Sequence, residues 1–154
     1  MENEKILSCP QCSAVWQDGQ TCESYFHQLG FWEFTEPQTR FAVHPLMVLS
    51  YHLQHPALYS KEGLQQGILL LKEFLEQGTP PDEIRKRSQK FFNSKQRSWS
   101  IRGSDLSRGS YPHPITWPMT IADVVAAAEE AYVEQVRKWA ASINQTLAMQ
   151  SPFN

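Results

Sequence analysis

Apolar residues recur at helical spacing along most of the chain. Leu64, Ile68, Leu71 and Leu75 follow one another at steps of four, three and four residues, which places them on one face of an α-helix. Residues 60–77 are therefore predicted to form an amphipathic helix. Its apolar face is expected to lie against a core and its polar face in water.

Four further segments have patterns that predict helices. Residues 22–34 carry five aromatic side chains, which are expected to face the core. Residues 45–55 are apolar nearly all round, which is typical of a buried helix. Residues 80–94 open with two prolines and two acids, and residues 120–147 carry a long apolar stripe with a break near Glu129. The aromatic residues of the first segment are Tyr25, Phe26, Phe31, Trp32 and Phe34.

Capping residues delimit several of these segments. Thr21, Ser60 and Thr120 each precede an apolar pattern, where a side-chain oxygen can accept a hydrogen bond from a free amide of the first turn. Asp123 follows Thr120 by three residues, which predicts a capping box. Gly78 stands where a helix commonly ends in the left-handed conformation.

These segments predict a mainly α protein, folded as a compact bundle of about five helices. We expect a single domain over residues 1–154, because this length supports one hydrophobic core. Within it, residues 1–20 are expected to form a zinc-knuckle-like loop, residues 21–147 the bundle and residues 148–154 a frayed tail. A small hairpin is also predicted between helices four and five; its arms are residues 99–101 and 115–117.

The composition is that of a globular protein, with 41% hydrophobic residues, 19% charged residues and a net charge of -2. This balance argues against a protein whose whole surface binds nucleic acid or a membrane. No apolar run approaches the ~20 residues of a membrane helix, and the first six residues are too polar for a signal peptide. We therefore expect a cytoplasmic protein. The sequence leaves homo-oligomerisation open.

Basic residues are concentrated in one stretch. Eight of the fourteen lysines and arginines lie between Arg85 and Arg108, where Asp105 is the only acid. A solvated helix face followed by a loop accounts for this stretch. Interleaved aromatic residues leave a nucleic-acid patch as the alternative.

The chemistry most evident in the chain is that of its three cysteines. Cys9 and Cys12 form a Cys-x-x-Cys pair, and Cys22 stands at the predicted start of the first helix. Two thiols at this spacing either bind a metal or exchange electrons. An odd number of cysteines together with several histidines favours metal binding over redox chemistry. Zinc is the ion that typically takes four cysteine and histidine ligands in tetrahedral geometry.

The fourth ligand has five candidates in the sequence. If the first two helices pack as an antiparallel pair, the start of one lies beside the end of the next, which brings Cys22 close to His55. We therefore predict a zinc site of Cys9, Cys12, Cys22 and His55. His52 and His44 are reserves, although His44 lies ~16 Å of helix rise from His55. The histidines of the chain are His27, His44, His52, His55 and His113.

Three features occur together in this chain: Cys-Pro-x-Cys, a cysteine that opens a helix, and Val-His-x-Leu-x-Val-x-x-Tyr-x-x-Gln-His-Pro across residues 43–56. With them the chain resembles a bacterial family of uncharacterised proteins known as a domain of unknown function, and the resemblance spans nearly the whole chain. It singles out the three cysteines, His44 and His55, and implies no activity. Members of the family often have glycine after the second cysteine, where this chain has Ser13.

Three functions are compatible with these residues. In the first, zinc has a structural role and joins the N-terminal knuckle to the bundle. In the second, a metal-dependent hydrolase-like enzyme leaves one zinc position open for water. In the third, Cys9 and Cys12 serve as a thiol redox pair. The sequence names no substrate and no catalytic residue.

Overall fold

The computed structural model describes residues 7–17, 19–92 and 108–150. It is mainly α, as the sequence predicted, and its only strands among these residues form a short antiparallel pair in which Leu7 faces Trp16 and Ser8 faces Val15. Short 3₁₀ turns at Phe41–Val43, Pro56–Leu58 and Glu129–Ala131 link some of the helices. In chain order the strands and helices are β1 Leu7–Ser8, β2 Val15–Trp16, α1 Cys22–Thr35, α2 Pro37–Arg40, α3 His44–Leu53, α4 Lys61–Glu76, α5 Pro81–Phe92, α6 Ile121–Ala126 and α7 Tyr132–Gln150.

The helix boundaries follow the capping residues of the sequence. The Thr21 hydroxyl accepts a hydrogen bond from the Ser24 amide at the start of α1, and the Ser60 hydroxyl does the same for the Gly63 amide in α4. Thr120 completes the predicted capping box with the third residue of α6. The predicted break near residue 129 is confirmed by the turn that separates α6 from α7.

Helix α3 lies at the centre of the bundle and packs against α4, α5 and α7. Seven of its ten residues are buried, which confirms the prediction from its apolar pattern. Helix α4 approaches it closely at Gly67, where an added Cβ would lie 3.2 Å from Tyr59 and 3.4 Å from Leu53. The buried residues of α3 are Pro45, Leu46, Met47, Leu49, Ser50, Tyr51 and Leu53.

Helices α1 and α3 run antiparallel, as the sequence argument assumed. Phe26, in the second turn of α1, packs against Tyr51 near the end of α3, with ring centroids 4.4 Å apart. Glu33, near the end of α1, pairs with His44 at the start of α3. The first residue of α1 therefore lies beside the residues that follow α3.

Two expectations from the sequence turn out differently or lie outside the described residues. Phe31 and Phe34 do not face the core, because their side chains are 67% and 74% exposed. Of the predicted hairpin, residues 99–101 lie outside the described residues, and residues 115–117 are neither helix nor strand. In the described ranges, no helix combines the length and the apolar character that crossing a membrane requires.

Candidate metal centre

The Cys-x-x-Cys pair lies in the turn between β1 and β2. The Cys9 amide donates to the Ala14 carbonyl at 2.9 Å, and the Ser13 amide donates to the Cys9 carbonyl at 2.9 Å, which closes the turn. The amides of Gln11 and Cys12 point at the Cys9 sulfur, at 3.4 and 3.5 Å. Amides that converge on a sulfur stabilise its thiolate form, which is the form that binds a metal.

The turn requires one residue in a conformation that favours glycine. Ser13 has φ of 69°, in the left-handed region where a Cβ crowds the following carbonyl. This is the position after the second cysteine, where glycine would remove the crowding. Ser13 therefore occupies a strained position in order to hold the knuckle closed.

Helix α1 contributes the third sulfur. Cys22 is its first residue, and its Sγ lies 3.6 Å from that of Cys12. The indole Nε1 of Trp16, in β2, donates to the Cys22 sulfur at 3.2 Å. The β-hairpin thus supplies two sulfurs from its turn and a hydrogen-bond donor from its second strand.

His55 contributes the fourth candidate ligand from just beyond α3. Its Nδ1 donates to the Tyr51 carbonyl at 2.6 Å, because a carbonyl oxygen only accepts. This bond fixes the tautomer and leaves Nε2 with a lone pair, as second-shell carbonyls do for metal-binding histidines. Nε2 is buried and has no hydrogen-bond partner among the described residues.

These four side chains form one compact cluster. The three sulfurs and a ring nitrogen of His55 all lie within 4.8 Å of one another. The residues are buried, with exposed fractions of 5% or less. A tetrahedral zinc ion with Zn–S distances of about 2.3 Å holds its sulfurs about 3.8 Å apart, close to the 3.6 Å between Cys12 and Cys22. The donor set and its spacing therefore fit zinc.

The side chains of the cluster alter one another's pKa values. Hydrogen bonds with Cys12 and Cys22 lower the pKa of the Cys9 thiol, whereas those with Cys22 and Cys9 raise the pKa of the Cys12 thiol. Burial opposes a charged imidazole, but the neighbouring sulfurs of Cys22 and Cys9 and the hydrogen bond to the Tyr51 carbonyl prevail and raise the pKa of His55 to about 9. The site thus favours negative sulfur beside a positive group, the situation that a bound cation also satisfies.

The reserve ligands lie outside this cluster. The ring of His52 contacts the Tyr59 hydroxyl, with its Nδ1 at 3.1 Å. His44 Nδ1 lies 2.7 Å from the Glu33 carboxylate, at the other end of the α1–α3 pair. Neither belongs to the group of residues that could share an ion with the cysteines.

Sequence reasoning missed two residues of functional interest. No sequence motif links Trp16 to Cys22. The hydrogen bond between them depends on the β-hairpin, which was not predicted. Glu33 is buried near the end of α1 with 1% exposure, and its position as a carboxylate among aromatic residues is the signal that could have indicated it. Most of the basic stretch lies outside the described residues; within them, Arg87 pairs with Glu73 at 2.5 Å.

The fold and the cluster together define a mainly α protein with a possible metal site of three cysteines and one histidine. A family model described as a family of unknown function (DUF5946) matches residues 7–148. The chain belongs to this family. No curated protein and no solved structure matches it.

Proposed function

We propose that the cluster of Cys9, Cys12, Cys22 and His55 binds one structural zinc ion, which fastens the N-terminal β-hairpin to the helical bundle. The observation that carries the proposal is the His55 Nε2 atom. It is buried among three sulfurs and lacks a hydrogen-bond partner in the described part of the chain, which is unfavourable unless a ligand satisfies it.

The weakness of the hairpin supports a structural role for the metal. Each strand has two residues, and Leu7 and Val15 are 48% and 57% exposed. A two-stranded hairpin of this kind is marginal in water without further packing. A zinc ion bound to Cys9 and Cys12 in the turn, and to Cys22 and His55 in the bundle, would supply the missing connection.

The number of protein donors supports a closed site over a catalytic one. Structural zinc has four protein ligands, whereas catalytic zinc keeps a position for water. Four protein donors lie close enough to share one ion here, and all four residues are buried. Their burial, and the position of Cys9 and Cys12 in a β-turn instead of at a helix start, also argue against a thiol redox pair. We further propose a cytoplasmic location, because a reducing compartment keeps thiols available as ligands.

The test combines metal analysis with matched histidine variants. Purified protein is expected to contain one zinc per chain, and a strong chelator is expected to lower Tm by about 10 °C or more, reversibly on zinc addition. His55→Gln should lose the metal. His52→Gln changes a histidine three residues away that lies outside the cluster, and should retain it.

Two results would count against the proposal. One is a melting temperature that stays the same after complete removal of bound metal, since a structural ion must stabilise the folded state. The other is equal zinc content in the His55→Gln and His52→Gln variants, because the fourth ligand would then have been assigned wrongly.

A further inference from the structure

A second candidate site lies between α3 and α5. There α3, from His44 to His52, and the middle of α5 line a cavity of about 750 Å³. This volume is within the range of small-molecule sites, which are roughly 300–1,000 Å³. The lining residues are Pro37, Phe41, His44, Pro45, Val48, His52, Arg85, Ser88 and Gln89.

The lining combines an apolar wall with groups that favour an anion. Two prolines, a phenylalanine and a valine provide the wall, and no lining residue is acidic. Arg85 contributes a full positive charge, and its ion pair with Asp82 is exposed and long, at 3.6 Å. Such a pair is weak in water, so the guanidinium can exchange it for a ligand.

His44 is held in place from behind by a buried carboxylate. Glu33 accepts hydrogen bonds from His44 Nδ1 at 2.7 Å and from the Tyr132 hydroxyl at 2.5 Å. Burial and the neighbouring Glu33 raise the pKa of Tyr132, so its hydroxyl stays protonated and donates. Because Nδ1 donates to Glu33, Nε2 carries the lone pair of the ring, so His44 lines the cavity as a fixed acceptor and leaves the donor role to Arg85 and Ser88.

Ser88 supplies an independent indication of a ligand. It lines the cavity with a residue exposure of 5%, and its hydroxyl has no hydrogen-bond partner among the described residues. A serine inside a helix usually bonds a carbonyl of the preceding turn or points to water. A buried hydroxyl that does neither is unfavourable in the protein alone, and an acceptor atom in the cavity would satisfy it.

We propose that this cavity binds a small amphipathic carboxylate, with the carboxylate near Arg85 and Ser88 and its hydrocarbon portion against the apolar wall. The charge of the lining selects an anion over a cation, and the apolar wall selects an organic acid over an inorganic ion. The proposal does not depend on the zinc site.

The experiment uses octanoate as the probe and 1-octanol as its uncharged match. Both are titrated into the full-length, zinc-loaded protein by calorimetry and by ¹H–¹⁵N NMR. We expect saturable octanoate binding, shifts centred on residues 44–52 of α3 and the middle of α5, and binding of 1-octanol at least ~10-fold weaker.

Variants separate a ligand role from a structural one. Arg85→Gln should weaken octanoate at least ~10-fold, whereas Arg137→Gln removes the same charge from an exposed position of α7 outside the cavity and should leave binding unchanged. Ser88→Ala should weaken octanoate while the free protein keeps or gains stability, because an unsatisfied buried hydroxyl is removed.

Several outcomes would overturn the proposal. Equal affinities for octanoate and 1-octanol would refute the selection of an anion. Shifts elsewhere in the spectrum, or no saturable binding of octanoate by the wild-type protein, would refute the site itself. Since these measurements use the wild-type protein, they remain decisive even if a variant fails to fold. Normal zinc content in the same samples separates failure here from failure of the metal proposal.

Discussion

Replacement of Trp16 by phenylalanine tests the proposed zinc site through a residue that does not bind the metal. The indole Nε1 donates to the Cys22 sulfur at 3.2 Å, and phenylalanine retains an aromatic ring without this donor. Once Cys22 binds zinc as a thiolate, the bond is one to a charged acceptor. Such bonds contribute roughly 1.5–3 kcal/mol.

This energy translates directly into metal affinity. Because 1.4 kcal/mol corresponds to a factor of ten in a binding constant, Trp16→Phe should weaken zinc binding by about 10- to 100-fold. The same range is typical of lost second-shell partners at metal sites. The ion should still bind at one per chain, since all four proposed ligands remain.

Competition with a chromophoric zinc chelator at fixed pH measures this effect. Trp32→Phe is the matched control, because it makes the same chemical change in α1 at a side chain that packs edge-on against Tyr132. Its zinc affinity should remain within ~2-fold of the wild type. If Trp16→Phe also remains within that range, the indole does not support a metal-bound thiolate and the reasoning fails.

Three further predictions concern stability, measured by denaturant unfolding of the zinc-loaded protein. Gln54→Leu should lower the free energy of unfolding by about 2–4 kcal/mol, because Gln54 accepts from the buried Trp139 indole and donates to a backbone carbonyl, and leucine leaves both groups unpaired. A loss below ~0.5 kcal/mol, as at ordinary surface sites, would contradict this prediction. Ser13→Gly should raise the free energy of unfolding by about 0.5–1 kcal/mol, since the strain energy relieved in the left-handed region exceeds the entropic cost of glycine in the unfolded chain. A less stable variant would contradict this prediction. Hydrogen bonds from Arg87 lower the pKa of Glu73 below its ordinary 4.5, so this pair stabilises the fold above that pH and its contribution disappears as the pH falls through the folded-state value. Glu73→Gln should therefore lower the free energy of unfolding near pH 7 by an amount that shrinks as the pH falls below 4.5, and a loss that does not change with pH would refute the assignment.

The helices were largely predictable because their signals are local. Thr21, Ser60 and Thr120 act within one turn of their own positions, and the apolar spacing of α4 needs no information from the rest of the chain. The aromatic residues of α1 show where this reasoning ends. Phe31 and Phe34 have the same apolar character as buried Trp32, yet they are exposed, because burial depends on which neighbouring helix covers each face.

The four candidate ligands were predicted from chemistry together with one topological assumption. Cysteine spacing indicated a knuckle, and the antiparallel arrangement of α1 and α3 ranked His55 above the other histidines. The structure brings these four residues together. Their role as metal ligands remains the proposal that the zinc analysis tests.

Two structural features used above, the Trp16–Cys22 hydrogen bond and the cavity between α3 and α5, are not visible in the sequence. Trp16 reaches Cys22 only because β1 and β2 pair, and strands of two residues have too little periodicity to be recognised. The cavity beside His44 arises where α3, from His44 to His52, and the middle of α5 leave space between them. Local patterns specify helices, caps and the metal-binding residue types, whereas the long-range packing of those helices selects which side chains meet, which are exposed and where a ligand can enter.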